Sequence, residues 1–374
     1  MTNKKPAKKR KQVRYFDYFL LALIIFMLFF GLVMLYSASS YTAEMRFGSA
    51  SYFVKKQLKF CIMGLIIMIL ISFIDYHFWF KIRYIVYLFP LACCAIVLVK
   101  GSTDYGSQRW LSIGGISFQP SELAKISLIL VNAYILTKIS FIDRDFKKRL
   151  KKFIIAYSFS VADCALIAIT NLSTAVIVAT ISLLMFFVAY PRSRLFVIIF
   201  VSVIFLGSII LKASSSYRGE RFKIWKHPEN YEKGYQTLQG LYAIGSGGFF
   251  GKGLGGSLQK KFVPEAQNDM IFPLIVEELG IFGAVVIISV FIVFLWRLYR
   301  ISRMADDKGG SFIAIGVMIH IAVQVMLNIA VATNSIPNTG VTLPFFSYGG
   351  SSTLILMVEL GIVLNVSRSV NFAV

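Results

Sequence analysis

Charge is scarce in this chain. Only 15% of its 374 residues are Asp, Glu, Lys or Arg, against about 25% in a soluble domain. That shortfall excludes a soluble enzyme and a disordered segment. Cysteine is scarcer still: Cys61, Cys93, Cys94 and Cys164 all fall in apolar runs, and none form a C-x-x-C pair. With no Cys/His cluster, a disulfide scaffold and a structural zinc site are excluded. The four thiols read as small buried hydrophobes. No internal repeat is visible, which argues against a transporter built from paired halves. Nor does a small-residue cleavage site follow the first apolar run, so that run reads as a retained helix.

What the chain has in abundance is apolar surface: 57% hydrophobic residues and a mean hydropathy of +0.72. A helix needs about 20 apolar residues to cross the hydrocarbon core. The uncharged stretch 18–43 is one span. Further spans are expected near 60–75, 83–99, 119–137, 153–171, 173–190, 195–213, 271–296, 311–332 and 351–366. The sequence therefore predicts an all-α polytopic membrane protein of about ten helices. The four residues Asn171-Leu172-Ser173-Thr174 should close a tight hairpin between the fifth and sixth.

Basic residues set the orientation. Thirty-nine Lys and Arg against 18 Asp and Glu give a net charge of +21. The basic residues crowd the tail 1–14, the connection 138–152 and the loop near 300. Alternate loops carry the charge, so both termini are expected to be cytoplasmic. The tail reads as a topology signal touching anionic lipid rather than a nucleic-acid arm. A transmembrane domain, 15–374, follows it. Its longest outer loop, about 214–270, lies between helices 7 and 8, and a loop of that length is usually functional.

Polar residues inside spans cost energy and need a reason. Glu122 and Lys125 are neighbours at i, i+3. His320, Gln324 and Asn328 form one stripe, while Asp163 and Glu359 are single carboxylates. Each can be polar glue between helices or part of a site. Outside the spans, Pro120-Ser121-Glu122 reads as a helix start that suits an anion. Arg109 lies beside Trp110, and Arg218 and Arg221 stand ahead of a glycine-rich stretch at 245–253. Those glycines would let backbone amides approach a phosphate. Glu265 and Asp269 put two carboxylates at the mouth of the eighth span, where one could act as a general base. The run 337–352, PNTGVTLPFFSYGGSS, includes Ser347 and implies irregular backbone lining a cavity. Such a cavity would suit an anionic amphiphile such as a polyprenyl phosphate.

Four blocks carry a resemblance: RWLSIGGISFQPSELAK (109–125), GYQTLQGLYAIGSGGFFGKGLG (234–255), VPEAQNDMIFPLIVEELG (263–280) and PNTGVTLPFFSYGGSS (337–352). In that order they resemble the SEDS family of FtsW, RodA and SpoVE. The resemblance implies a peptidoglycan glycosyltransferase acting on lipid II at the outer face of the bacterial cytoplasmic membrane. It implies Asp269 as the catalytic carboxylate. Arg109, Lys125, Arg218 and Arg221 would neutralise the pyrophosphate, with Glu122, Glu265 and Ser347 in the substrate site. It also implies assistance by Mg²⁺ or Mn²⁺ bound with the pyrophosphate. A class B penicillin-binding protein would supply the transpeptidase, alongside other divisome membrane proteins. Gln267-Asn268 replaces the His-Thr of many members, and Asn171 replaces an Asp. Thr342 and the ending 364–368 are more similar to FtsW and SpoVE than to RodA, which implies work at a division or spore septum. The alternatives are a RodA-type elongation polymerase and a lipid II flippase, which would use Asp163, His320 and Glu359 at the midplane.

Overall fold

The computed structural model describes residues 16–104, 107–113, 116–138, 146–189 and 217–369. Within hydrocarbon a chain can satisfy its backbone only with itself, so long apolar runs become helices. Helix α1 (Tyr18–Phe47) opens on Asp17, whose side chain accepts from the Leu20 N–H, and stops at Gly48 in the left-handed region. At 1.5 Å per residue its 30 residues extend about 45 Å, beyond the hydrocarbon core. Then come α2 (Tyr52–Ser72), the short α3 (Tyr76–Lys81) and α4 (Arg83–Lys100). After them α5 (Pro120–Lys138), α6 (Phe146–Thr170) and α7 (Leu172–Ala189) complete the first half. The expected hairpin is present. Asn171 alone separates α6 from α7 and caps α7, its Oδ1 accepting from Thr174 N–H at 3.2 Å.

Five described helices are long and apolar enough to cross a membrane: α1, α7, α10 (Ile271–Met304), α11 (Lys308–Ala332) and α12 (Gly350–Arg368). Helices α4 and α6 contain shorter apolar stretches. The expected second and fourth spans form α2 and α5, and α2 starts eight residues earlier than hydropathy placed it. Its first turns carry Lys55, Lys56 and Lys59, which lower the hydropathy there without breaking the helix. The expected span 195–213, the tail 1–14 and residues 139–145 of the basic connection lie outside the described residues.

Two features depart from an all-helical reading. The connection after α4 holds a small antiparallel sheet, β1 (Ser102–Asp104), β2 (Ser107–Ile113) and β3 (Ile116–Phe118), in that order. Leu111 and Phe118 pack from it onto Cys93 and Val97 of α4, giving the strands an apolar face to cover. The long loop before α10 is also structured. It contains α8 (Tyr217–Lys226), α9 (Tyr235–Ser246) and three 3₁₀ turns.

Helix α10 breaks at Gly280, where φ is +71°. A Cβ there would lie 2.2 Å from the Phe249 carbonyl oxygen. Only glycine combines that dihedral with that approach. The irregular segment 333–349 then turns back between α1, α10 and α11 before α12 begins. Its Phe345 carbonyl packs so closely on α1 that a Cβ at Gly31 would come within 2.2 Å of it. Around this segment α1, α2, α5, α10, α11 and α12 bury one continuous core.

Polar clasps mark the two ends of the bundle. At one end Asp17 accepts from Arg297 Nε at 2.7 Å, and Tyr76 donates to Asp307 at 2.8 Å. At the other, Arg46 at the end of α1 pairs with Glu265 at 2.9 Å. The candidate site lies at this second end.

Candidate functional site

Asp269 sits in the last turn before α10. Its carboxylate accepts from the Gln236 amide of α9 at 3.3 Å and is also hydrogen-bonded by Asn338 of the returning segment. Asn338 in turn donates to Gln236 Oε1 at 3.3 Å, so the two amides brace each other. Burial pushes the Asp269 carboxyl up to about 6, and Glu265 pushes the same way, while the amide hydrogen bonds pull it down. A carboxylate poised there is a competent base near neutral pH. The backbone is fixed as well. Asn328 of α11 donates at 2.8 Å to both the Asp269 and the Val341 carbonyls.

One turn along α11 the same device recurs. Gln324 donates to the Thr342 carbonyl at 3.1 Å, and its own Oε1 accepts from Lys125 Nζ at 3.2 Å. Lys125 also pairs with Glu122 at 2.9 Å and is only 2% exposed. Asn328 and Gln324 themselves are about 6 Å apart along the axis of α11. A cleft lined by Glu122, His320, Gln324, Thr342, Ser347 and Ser352 opens between α5, α11 and α12. Ser347 closes the turn above it, accepting from Leu343 N–H at 2.8 Å. Deeper on the stripe, His320 Nδ1 lies 2.8 Å from Glu359 Oε2.

The glycine-rich stretch serves a different purpose from the one its composition suggested. Lys252 and Gly253 N–H groups donate to the carbonyls of Glu277 and Glu278. The Ile281 and Phe282 N–H groups return bonds to Gly248 and Phe249. The loop is thus sewn to the break in α10. Glu277 is its hub, accepting from Lys252 Nζ at 2.6 Å, from Ser257 Oγ, and from the Leu258 and Gln259 N–H groups at 3.2 Å. Glu278 accepts from Ser37 of α1 at 2.6 Å.

The fold brings Glu122 and Ser347 to one cleft, with the buried Lys125 bonded to its lining residues Glu122 and Gln324, and Glu265 to the neighbourhood of Asp269. Glu265 is itself held by Arg46, Gln267 and Asn268. Arg109 is half-buried on β2. Arg218 and Arg221 belong to α8, and their side chains lie outside the described residues. Sequence reasoning missed Gln236, Asn338 and Arg46. A glutamine on a short helix gives no periodic signal. Arg46, however, is a lone cation at the far end of the first span, away from the basic loops, and that mismatch was visible. Among the described residues no three His, Cys, Asp or Glu side chains converge as metal ligands. The oxygens of Asp269 and Glu265 already face amide and guanidinium donors. This donor set does not fit a protein-held divalent cation.

Known proteins share this sequence and architecture. The family model described as "Cell cycle protein", covering FtsW, RodA and SpoVE, matches residues 18–371. Stage V sporulation protein E of Bacillus subtilis is 39% identical over 363 residues, 94% of this chain and 97% of that one. A probable peptidoglycan glycosyltransferase FtsW of Trichlorobacter lovleyi is 35% identical, over 96% of this chain and 94% of its own. Among solved structures, a chain from a study of polymerization and crosslinking by a peptidoglycan synthase complex superposes with a TM-score of 0.80 at 26% identity. It covers 94% of this chain and 98% of its own. RodA of Thermus thermophilus shares the fold, with a TM-score of 0.70 at 24% identity over 94% and 97% of the two chains.

Proposed function

The chain belongs to the FtsW, RodA and SpoVE family of cell cycle proteins, and from that premise we propose that it is a peptidoglycan glycosyltransferase that polymerises lipid II. The observation that carries the mechanism is the partly exposed, amide-braced Asp269 carboxylate, which burial raises to about 6. The acceptor sugar's 4-hydroxyl attacks the donor's anomeric carbon. The bond from that carbon to undecaprenyl pyrophosphate breaks, and the pyrophosphate leaves with the electron pair. Asp269 takes the hydroxyl proton, a role worth about 10²–10⁴ in rate. Lys125 supplies fixed positive charge to the cleft, and Arg109, Arg218 and Arg221 provide guanidinium groups suited to phosphate. Mg²⁺ or Mn²⁺ would be carried by the pyrophosphate rather than by a protein ligand set.

The surroundings follow from the same premise. Ten spans with both termini cytoplasmic would put the Asp269 end of the bundle on the outer face, as the charge of the loops requires. The crosslinking that accompanies polymerisation would come from a class B penicillin-binding protein within the division machinery. Thr342 and the 364–368 ending favour septal over elongation synthesis.

The test is a labelled lipid II assay on the purified chain with its penicillin-binding partner. Glycan strands should form with the native chain and disappear with Asp269→Asn. Normal polymerisation by that variant would remove Asp269 from the mechanism. Accelerated lipid II exchange in vesicles, with no glycan from the native pair, would establish the transport alternative instead.

A further inference from the structure

The hydrogen bonds around Gln324 can be assigned without ambiguity. The Thr342 carbonyl can only accept, so the Gln324 NH₂ must face it, at 3.1 Å. Its Oε1 therefore faces Lys125 Nζ at 3.2 Å and His320 Nε2 at 2.9 Å. An amide oxygen can only accept, so His320 Nε2 carries hydrogen. The other ring nitrogen, Nδ1, lies 2.8 Å from Glu359 Oε2. A neutral ring with its hydrogen on Nε2 presents a lone pair at Nδ1, which would repel a carboxylate oxygen. The contact therefore holds a second hydrogen, shared between Nδ1 and Oε2. Both side chains are buried: His320 is 3% exposed and Glu359 1%.

We propose that His320 and Glu359 are a proton-sharing positioning pair. Holding Nε2–H on Gln324, they fix the amide that carries both the Lys125 ammonium and the Thr342 carbonyl of the outer cleft. Without the shared proton, a carboxylate at Nδ1 would draw the one remaining ring hydrogen to itself. Nε2 would then turn a lone pair on Gln324 Oε1. Gln324 could not keep Thr342, His320 and Lys125 together, and the Lys125 ammonium would be held by Glu122 alone. The pair touches no reacting atom, so its effect belongs in substrate capture rather than in the chemical step. As a statement about substrate, this rests on the glycosyltransferase reading; as a statement about the hydrogen-bond network, it does not.

The chain has three histidines, His77, His227 and His320, so histidine-selective ¹⁵N labelling resolves the buried ring in detergent or nanodiscs. The native spectrum should show hydrogen on His320 Nε2, and a ring with hydrogen on Nδ1 alone would overturn the proposal. The functional arm uses the full-length H320L/E359L double variant, because exchanging a buried polar pair for packed apolar groups is commonly tolerated. It should keep its melting temperature within a few degrees and bind undecaprenyl pyrophosphate about tenfold more weakly. Its loss in turnover should lie in KM, with kcat changed less than about threefold. Glu359→Gln can donate an amide hydrogen to Nδ1 and should recover most of the binding that Glu359→Leu loses. Native binding by the double variant, or equal losses for the Gln and Leu variants, would reduce the pair to core packing. Should the double variant not fold, the spectrum and the Gln/Leu comparison still decide. If the native chain makes no glycan but binding follows this pattern, the function proposed above fails and the pair stands.

Discussion

Asp269 and Glu277 stand eight residues apart on one segment, and the fold treats them as opposites. Glu277 is fully buried and receives a lysine, a serine and two backbone N–H groups. Its lone pairs are used up in sewing the glycine-rich loop to the break in α10. Asp269 is partly open, braced by amides alone, and raised to about 6. A carboxylate saturated by donors is a fastener, whereas one held by a few neutral donors beside a cleft can still take a proton.

This contrast is sharpest in substitutions that separate activity from folding. The largest effect is expected from Asp269→Asn: glycan polymerisation should fall by about 10²–10⁴ while the melting temperature stays within a few degrees. A variant that melts much earlier would make Asp269 structural too. Glu277→Ala should do the reverse. It leaves the buried Ser257 hydroxyl without its acceptor and releases two N–H groups and the exposed Lys252, for a loss of about 1–3 kcal/mol, read as an earlier thermal transition in detergent. An unchanged transition would deny Glu277 its role as hub.

The pH profile comes next in size. A base must be ionised to act, and burial raises the Asp269 carboxyl to about 6. Polymerisation, as kcat/KM, should therefore rise about tenfold per pH unit below 6 and level off above it. An acid limb near 4 would mean that the carboxylate is solvated in the working enzyme. The smallest effect belongs to Glu265→Gln. Glu265 helps to keep Asp269 protonated, so neutralising it should move the same limb to lower pH by a fraction of a unit. A shift upward would show that the Arg46–Glu265 clasp acts through geometry instead.

Much of this molecule was legible in its residues. Asn171 announced the α6–α7 hairpin because a short polar break between two apolar runs has nowhere to sit but at a turn. Glu122 and Lys125 announced their pairing, since i, i+3 is a fixed neighbour relation on any helix. The glycines at 245–255 misled, because composition cannot tell an amide offered to a ligand from one bonded to a neighbouring carbonyl. Gln236 was invisible, since its partner Asp269 lies 33 residues on, across two turns and a loop.

By itself, the sequence determined that the chain is a largely helical membrane protein, and it set the i, i+3 pairing of Glu122 and Lys125. Those properties are local: hydropathy, charge count and helical spacing act between near neighbours. Tertiary structure alone decided that Asn328, Gln324 and His320 each grip a different distant partner along one face of α11. A hydrogen bond forms only where a donor and an acceptor meet within about 3 Å, and for residues far apart in the chain only the packed bundle sets that meeting.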